Sequence, residues 1–223
     1  MNNMPGIFEK IAKSKGVDIN VVMDAKSGHT FKMHSERDEL FETIRSEKWD
    51  YVILQGFSRE LSESLSYIDS ASVPYISNLL DSIYANDSNS NVLFFQTWGY
   101  KEGFKEREEV STNQSMSDSI RVGYAYVSDL FDLPVVPVGQ VWSNFRASNT
   151  KIDLYHKDLA HPSYHGSYII ACTFYTAIFK QNLKKAYSGR LKRRVAKQLQ
   201  NSAHSYVMRH LDNFKLDREI DTE

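Results

Sequence analysis

Cysteine is nearly absent. Cys172 stands alone in 223 residues, so no intramolecular disulfide framework can staple this chain. Proline and glycine are also scarce, at 5 and 10, which excludes collagen-like and proline-rich disordered architectures. No apolar run approaches the about 20 residues of a membrane span, so no membrane span is expected. The opening residues, MNNMPGIFEK, lack the basic-then-apolar pattern of a secretion signal. There is no GxxxxGKS or GxxxxGKT phosphate loop, no GxGxxG and no CxxC pair. The common nucleotide, zinc and redox signatures are therefore missing.

What is present is an ordinary globular composition, 41% hydrophobic and 25% charged, of a length that suits one domain over residues 1–223. The net charge of −1 implies no general affinity for nucleic acid. It also conceals an asymmetry. Residues 1–179 carry 16 basic and 23 acidic side chains, whereas residues 180–223 carry 11 and 5. No acidic residue occurs between Lys180 and His210. Such a stretch is usually a solvated face, and it can also meet an anionic partner. Leu191, Val195, Leu199, Tyr206 and Leu211 recur within it on one helical stripe. Residues 188–212 are thus expected to form a basic amphipathic helix packed on the body.

Helical and strand-like periodicity alternate along the chain. Helices are expected from Pro5 to Gly16, Ser35 to Lys48, Ser72 to Tyr84, Ser111 to Phe131, Val141 to Ala147 and Ser163 to Lys180. Ser35 with Asp38 resembles a capping box. Strands are expected at Ile19–Met23, Tyr51–Leu54, Val92–Phe95 and Leu133–Val138. The Tyr51–Leu54 run has the profile of a central strand buried on both faces. This alternation predicts an α/β fold, a three-layer α/β/α sandwich around a parallel sheet. Ligands then bind beyond the carboxyl ends of the strands.

Three strand-end or loop segments hold residues suited to chemistry. Gln55-Gly56 offers a side-chain amide and a backbone N–H that can face an oxyanion, although a turn alone would explain the pair. Trp98 can line a substrate pocket or simply pack. Asp158 lies three residues before His161. An acid so placed can hold one ring nitrogen and leave the other as a general base. His156, His161 and His165 with Asp153 and Asp158 could alternatively hold a metal. Their spacing matches no tight motif, and no metal is assigned. Cys172 reads as a buried small hydrophobe, and His29 and His34 read as surface residues.

Taken in order, these segments resemble the SGNH hydrolases, the GDSL-type serine esterases, and within them an uncharacterised bacterial SGNH-like branch. The likeness is carried by Asn2-Asn3-Met4-Pro5, Leu54-Gln55-Gly56, Gln96-Thr97-Trp98, Pro137-Val138-Gly139 with Trp142, and Asp158 through Ala171. The resemblance implies an SGNH or flavodoxin-like sandwich that hydrolyses an acyl ester, such as a carbohydrate O-acetyl group, without a cofactor. It implies Asp158 and His161 as the acid and base of a triad and Gln55 and Gly56 as oxyanion donors. A QG pair replaces the usual GxND block, as in the carbohydrate acetylesterase variants.

The serine of that family ends the first strand in a GDS or GNS block, directly before the NNMP-like segment. No GDS, GNS or GxSxG occurs here, and neither Ser58 nor Ser163 sits on the strand-to-helix elbow such a nucleophile needs. The resemblance therefore puts the serine upstream of residue 1, and the chain as given is expected to have little esterase activity. A truncated gene product is favoured over an evolved pseudoenzyme, because losing a central strand leaves backbone groups unpaired. The alternative is a non-catalytic binding module of the same fold. A flavodoxin-like nucleotide binder would need the missing phosphate loop. The expected partner is a small-molecule or carbohydrate ester. Oligomeric state and compartment stay open, since members of the family are often exported and one cysteine suits either side of a membrane.

Overall fold

The computed structural model describes residues 2–218. Strands β1 (Tyr51–Leu54), β2 (Asn91–Phe95) and β3 (Val135–Val136) form a parallel sheet in that order. Tyr51 is in register with Asn91, and Phe94 with Val135. Side chains alternate along a strand, so Leu93, Phe95 and Val136 enter one apolar core while Val92, Phe94 and Val135 enter another. The first core is closed by α1 (Met4–Ser14), α7 (Val138–Ser148), α8 (Tyr164–Phe179) and α9 (Arg193–Arg209). The second lies under α2 (Phe31–Ser35), α3 (Asp38–Ser46), α4 (Leu65–Ala71), α5 (Val73–Asn86) and α6 (Asn113–Phe131). This is the expected α/β/α sandwich. Among the described residues no helix is long and apolar enough to cross a membrane.

The helices that frame the site have clear local causes. Pro5 falls in the first turn of α1, and Asn3 Oδ1 accepts from Gly6 N at 3.2 Å. A proline there loses no bond, and the cap satisfies an otherwise orphan N–H. Ser163 caps α8 by accepting from Gly166 N. Every residue of α8 from Gly166 to Ile178 is buried, as befits a helix apolar all round. Helix α9 lies within the expected 188–212 and buries Ala196, Leu199, Ala203 and Val207 against the body. Residue 1 and residues 219–223, the ends of the expected domain, lie outside the described residues.

Several expectations are corrected. Ile19–Met23 is not a strand, and Val22 and Met23 are 52% and 64% exposed. Among the described residues β1 pairs only with β2, so no strand stands at its other edge for this segment to join. An extended segment without a partner leaves its backbone groups to water. For the same reason Tyr51–Leu54 is an edge strand, half-buried from Tyr51 to Ile53, rather than a central one. The helix expected over Ser35–Lys48 is two helices. Ser35 ends α2 and donates back to Lys32 O at 2.8 Å, while Arg37 occupies the uncapped start of α3. The third strand shrinks to Val135–Val136 because Pro134 and Pro137 have no N–H to give the ladder. His34 is buried, beside His29 and with Arg37 at 3.3 Å, rather than on the surface.

Candidate active site

The carboxyl ends of β1 and β2 feed two loops that are tied together. Thr97 Oγ1 donates to Ser58 O at 3.1 Å, and the Ser58 and Tyr100 hydroxyls lie 2.9 Å apart. The loop before α8 is held on the same side. Trp98 donates its indole N–H to Ala160 O at 3.0 Å, and Lys101 N donates to Leu159 O at 2.8 Å. Trp98 itself is stacked on the buried Trp142, with centroids 4.5 Å apart and planes 7° from parallel. The Asp158–His161 loop is thereby fixed beyond the carboxyl end of the sheet.

Within that loop, Asp158 Oδ1 accepts from Ala160 N at 3.0 Å and His161 N at 2.9 Å. Leu159 adopts a left-handed φ of 62°, and that turn lets both N–H groups face the carboxylate. Oδ2 lies 3.0 Å from His161 Nδ1 and 3.2 Å from His156 Nδ1. His156 N closes the loop on His161 O at 2.7 Å. Desolvation pushes the Asp158 carboxyl up, but the N–H groups of His161 and Ala160 and the two imidazoles outweigh it. They hold the group well below the usual carboxylate range. An ionised Asp158 favours the His161 proton on Nδ1, which leaves the Nε2 lone pair available. Nε2 has no hydrogen-bond partner among the described residues, and the His161 side chain is 56% exposed.

The start of α1 adjoins this loop. Asn2 Nδ2 donates to Pro162 O at 3.1 Å and to Ser167 Oγ at 3.0 Å. Asn2 and Asn3 both have left-handed backbone, with φ of 56° and 48°.

Gln55 and Gly56 follow β1 on the same side of the sheet. Gln55 is exposed, and no hydrogen bond joins either residue to Asp158 or His161 among the described residues. Gly56 has a packing reason to be glycine: a Cβ would lie 2.2 Å from Glu60 Oε2 and 2.8 Å from the Phe31 ring. Glu60 was not distinguishable in the sequence from a surface acid, yet it is only 7% exposed. Its carboxylate accepts from Phe31 N, Phe57 N and the Ser72 hydroxyl at 3.0–3.1 Å. Burial pushes it up to about 7 against those donors. Gln96 is likewise buried, and its Oε1 has no partner among the described residues. It borders a cavity of about 50 Å³ that Trp98, Gln114, Ser117, Gln140 and Ser143 also line. Glu60 carries no signal in the sequence, and Gln96 stands out only as part of the Gln96-Thr97-Trp98 segment.

Among the described residues no three His, Cys, Asp or Glu side chains are grouped so as to hold a metal ion. Asp153 is turned away to pair with Lys101. Burial pushes the Cys172 thiol up, which keeps it protonated inside α8 and unsuited to nucleophilic attack.

Comparison with known proteins agrees with this architecture. Residues 28–206 match the family described as "Domain of unknown function (DUF4886)". A DUF4886 family protein from Bacteroides uniformis ATCC 8492 superposes with a TM-score of 0.74 at 19% identity, over 90% of this chain and 88% of that one. A protein from Slackia heliotrinireducens, described as "a putative SGNH hydrolase", gives a TM-score of 0.59 at 22% identity, over 78% of this chain and 89% of that one. At such identities the two structures establish a shared SGNH-like fold. No curated protein matches the chain. With most of its length covered by the family match, the chain belongs to the DUF4886 family, on a fold related to the SGNH hydrolases.

Proposed function

We propose that this protein is an SGNH-type acyl-ester hydrolase in which His161 is the general base and Asp158 its positioning acid. The observation that carries the reading is the Asp158–His161 contact of 3.0 Å, made by a carboxylate whose other oxygen is already held by two backbone N–H groups. An exposed imidazole fixed through one nitrogen, with the other free of partners among the described residues, is the arrangement a general base needs. His161 Nε2 takes the proton of a serine hydroxyl, whose oxygen attacks the ester carbonyl. The side-chain amide of Gln55 and the N–H of Gly56 are the donors assigned to the resulting oxyanion. The imidazolium then protonates the departing alcohol, and water hydrolyses the acyl-enzyme by the same route. The preferred substrate is a carbohydrate O-acyl ester.

The serine belongs, on the SGNH resemblance, to a block directly preceding Asn2. Three features support that position: Asn2 is anchored on Pro162, next to His161; among the described residues β1 pairs on one side only; and the Ile19–Met23 segment has no strand partner there. The test is turnover of p-nitrophenyl acetate by the chain as given and by a form extended upstream through any GDS or GNS strand. The extended form should turn over, and His161→Ala should remove about 10⁴–10⁶-fold of that rate. Turnover by the short chain that His161→Ala abolishes would mean that another serine serves. An upstream region without such a strand would favour the second reading, a non-catalytic binding module, which the unpartnered Nε2 of His161 supports.

A further inference from the structure

We propose that the cationic strip from Lys184 to Arg194 is the binding track for an acidic polysaccharide, and that this polymer carries the ester presented to His161. The second clause rests on the acyl-ester reading; the first does not.

After α8 the chain turns back along that helix toward the site. Lys15 Nζ donates to Lys184 O at 3.2 Å, and Tyr187 N donates to Ser14 Oγ at 2.8 Å. The Tyr187 carbonyl accepts from Tyr168 at 2.6 Å. Arg190 N then reaches the Tyr164 hydroxyl at 3.2 Å. Tyr164 is the first residue of α8, three positions after His161. Gly189 makes the approach possible: its φ is +60°, and a Cβ there would lie 2.2 Å from the Tyr164 hydroxyl. The strip thus follows α8, a helix of 16 residues and so about 24 Å long, and Arg190 reaches the side chain of that helix's first residue, three positions after His161.

Its charge is of one sign. Lys184, Lys185, Arg190, Lys192, Arg193 and Arg194 are exposed, and among the described residues none takes part in an ion pair. Lys10 of α1 and Lys15 just after it add to it, against a single acid of that helix, Glu9. Arginine forks pair well with carboxylates. Two other polyanions fit less well. The Tyr187 ring lies under Lys10 at 5.8 Å and the Tyr164 ring under Arg190 at 5.6 Å, so neither ring is a bare platform for stacking a nucleic-acid base. No large apolar side chain is exposed between residues 180 and 207, so the strip has nothing to insert into a bilayer. A flexible carboxylated glycan needs neither.

The test is affinity electrophoresis of the full chain through gels containing polygalacturonate, with neutral dextran as the control. Retardation by polygalacturonate alone is expected, weakening about ten-fold or more between 0.05 and 0.5 M salt as screening shortens. The triple substitution Lys184→Gln, Lys185→Gln, Arg190→Gln should weaken it about ten-fold, and an unchanged thermal melt establishes that this variant is folded. Equal retardation by dextran, or tighter binding of duplex DNA or phosphatidylglycerol vesicles than of polygalacturonate, overturns the proposal. Polymer binding needs no nucleophile, so the two readings fail separately. Binding without p-nitrophenyl acetate turnover by the upstream-extended form removes the catalytic reading and the ester clause. Turnover without polymer binding removes the track.

Discussion

Trp98 donates its indole N–H to the carbonyl of Ala160 at 3.0 Å, and this bond joins the end of β2 to the loop that carries His161. The indole is also stacked on Trp142, so its two roles can be separated. Trp98→Phe keeps an aromatic face on Trp142 and deletes the bond. It should cost about 1 kcal/mol in urea unfolding, and Trp98→Leu should cost more by also losing the stack. If Trp98→Phe is neutral, Trp98 does not hold the loop.

Asp158→Asn tests how His161 is oriented. An amide can still accept from the Ala160 and His161 N–H groups through its oxygen, so the loop should persist. Its NH₂ would then face the imidazoles and oblige His161 to accept at Nδ1, which puts the proton on Nε2 and removes the base. In a form with turnover, the rate on p-nitrophenyl acetate should fall about 10⁴-fold with little change in thermal melt. His156→Ala leaves the 3.0 Å contact of His161 intact and should stay within about ten-fold of the parent. An effect of His156→Ala as large as that of Asp158→Asn would make His156 the working base.

Glu60 makes stability depend on pH. Burial raises its folded carboxyl to about 7 from an ordinary 4.5. The folded state therefore holds a proton that the unfolded chain has released between those values. Its contribution is fully present below about 4.5 and is lost as the pH rises through about 7. The span amounts to about 3 kcal/mol. Urea midpoints from pH 4.5 to 7.5 should fall in the parent and flatten in Glu60→Gln, which keeps the shape and cannot ionise. A parent profile that rises over this range would reverse the sign assigned to Glu60. Gly56→Ala should destabilise at every pH by about 1–3 kcal/mol, because its methyl would meet the Glu60 carboxylate and the Phe31 ring.

The Asp158–His161 pair could be read from the sequence because its chemistry is local: the acid, the base and the two N–H donors fall within four residues. The strands at Tyr51 and Val92 were legible for a similar reason, since a short apolar run between turns has few other uses. Glu60 was illegible because, beside the local Phe57 N–H, its donors sit 29 residues upstream at Phe31 and 12 downstream at Ser72. The double role of Trp98 depends on Ala160, 62 residues away. Ile19–Met23 misled because β-branched and apolar residues mark the capacity to pair, whereas a strand also needs a neighbour.

That last correction yields the sharpest contrast in stability. Leu93 is in the middle strand, fully buried between helical layers, whereas Met23 is 64% exposed on a segment outside the sheet. Met23→Lys should therefore change unfolding free energy by no more than about 0.5 kcal/mol. Leu93→Ala should cost about 2–5 kcal/mol, the usual penalty for a cavity that a core cannot close. Hydrogen exchange should divide the same way. Amides of Ile19–Met23 have no ladder partner and should exchange nearly unprotected, while those of Leu93 and Phe94 should open only with global unfolding. Slow exchange at Ile19–Met23 in the chain as given, together with a Met23→Lys cost above about 1 kcal/mol, would return that segment to the sheet. It would also close the free edge of β1 on which the placement of the nucleophile strand depends.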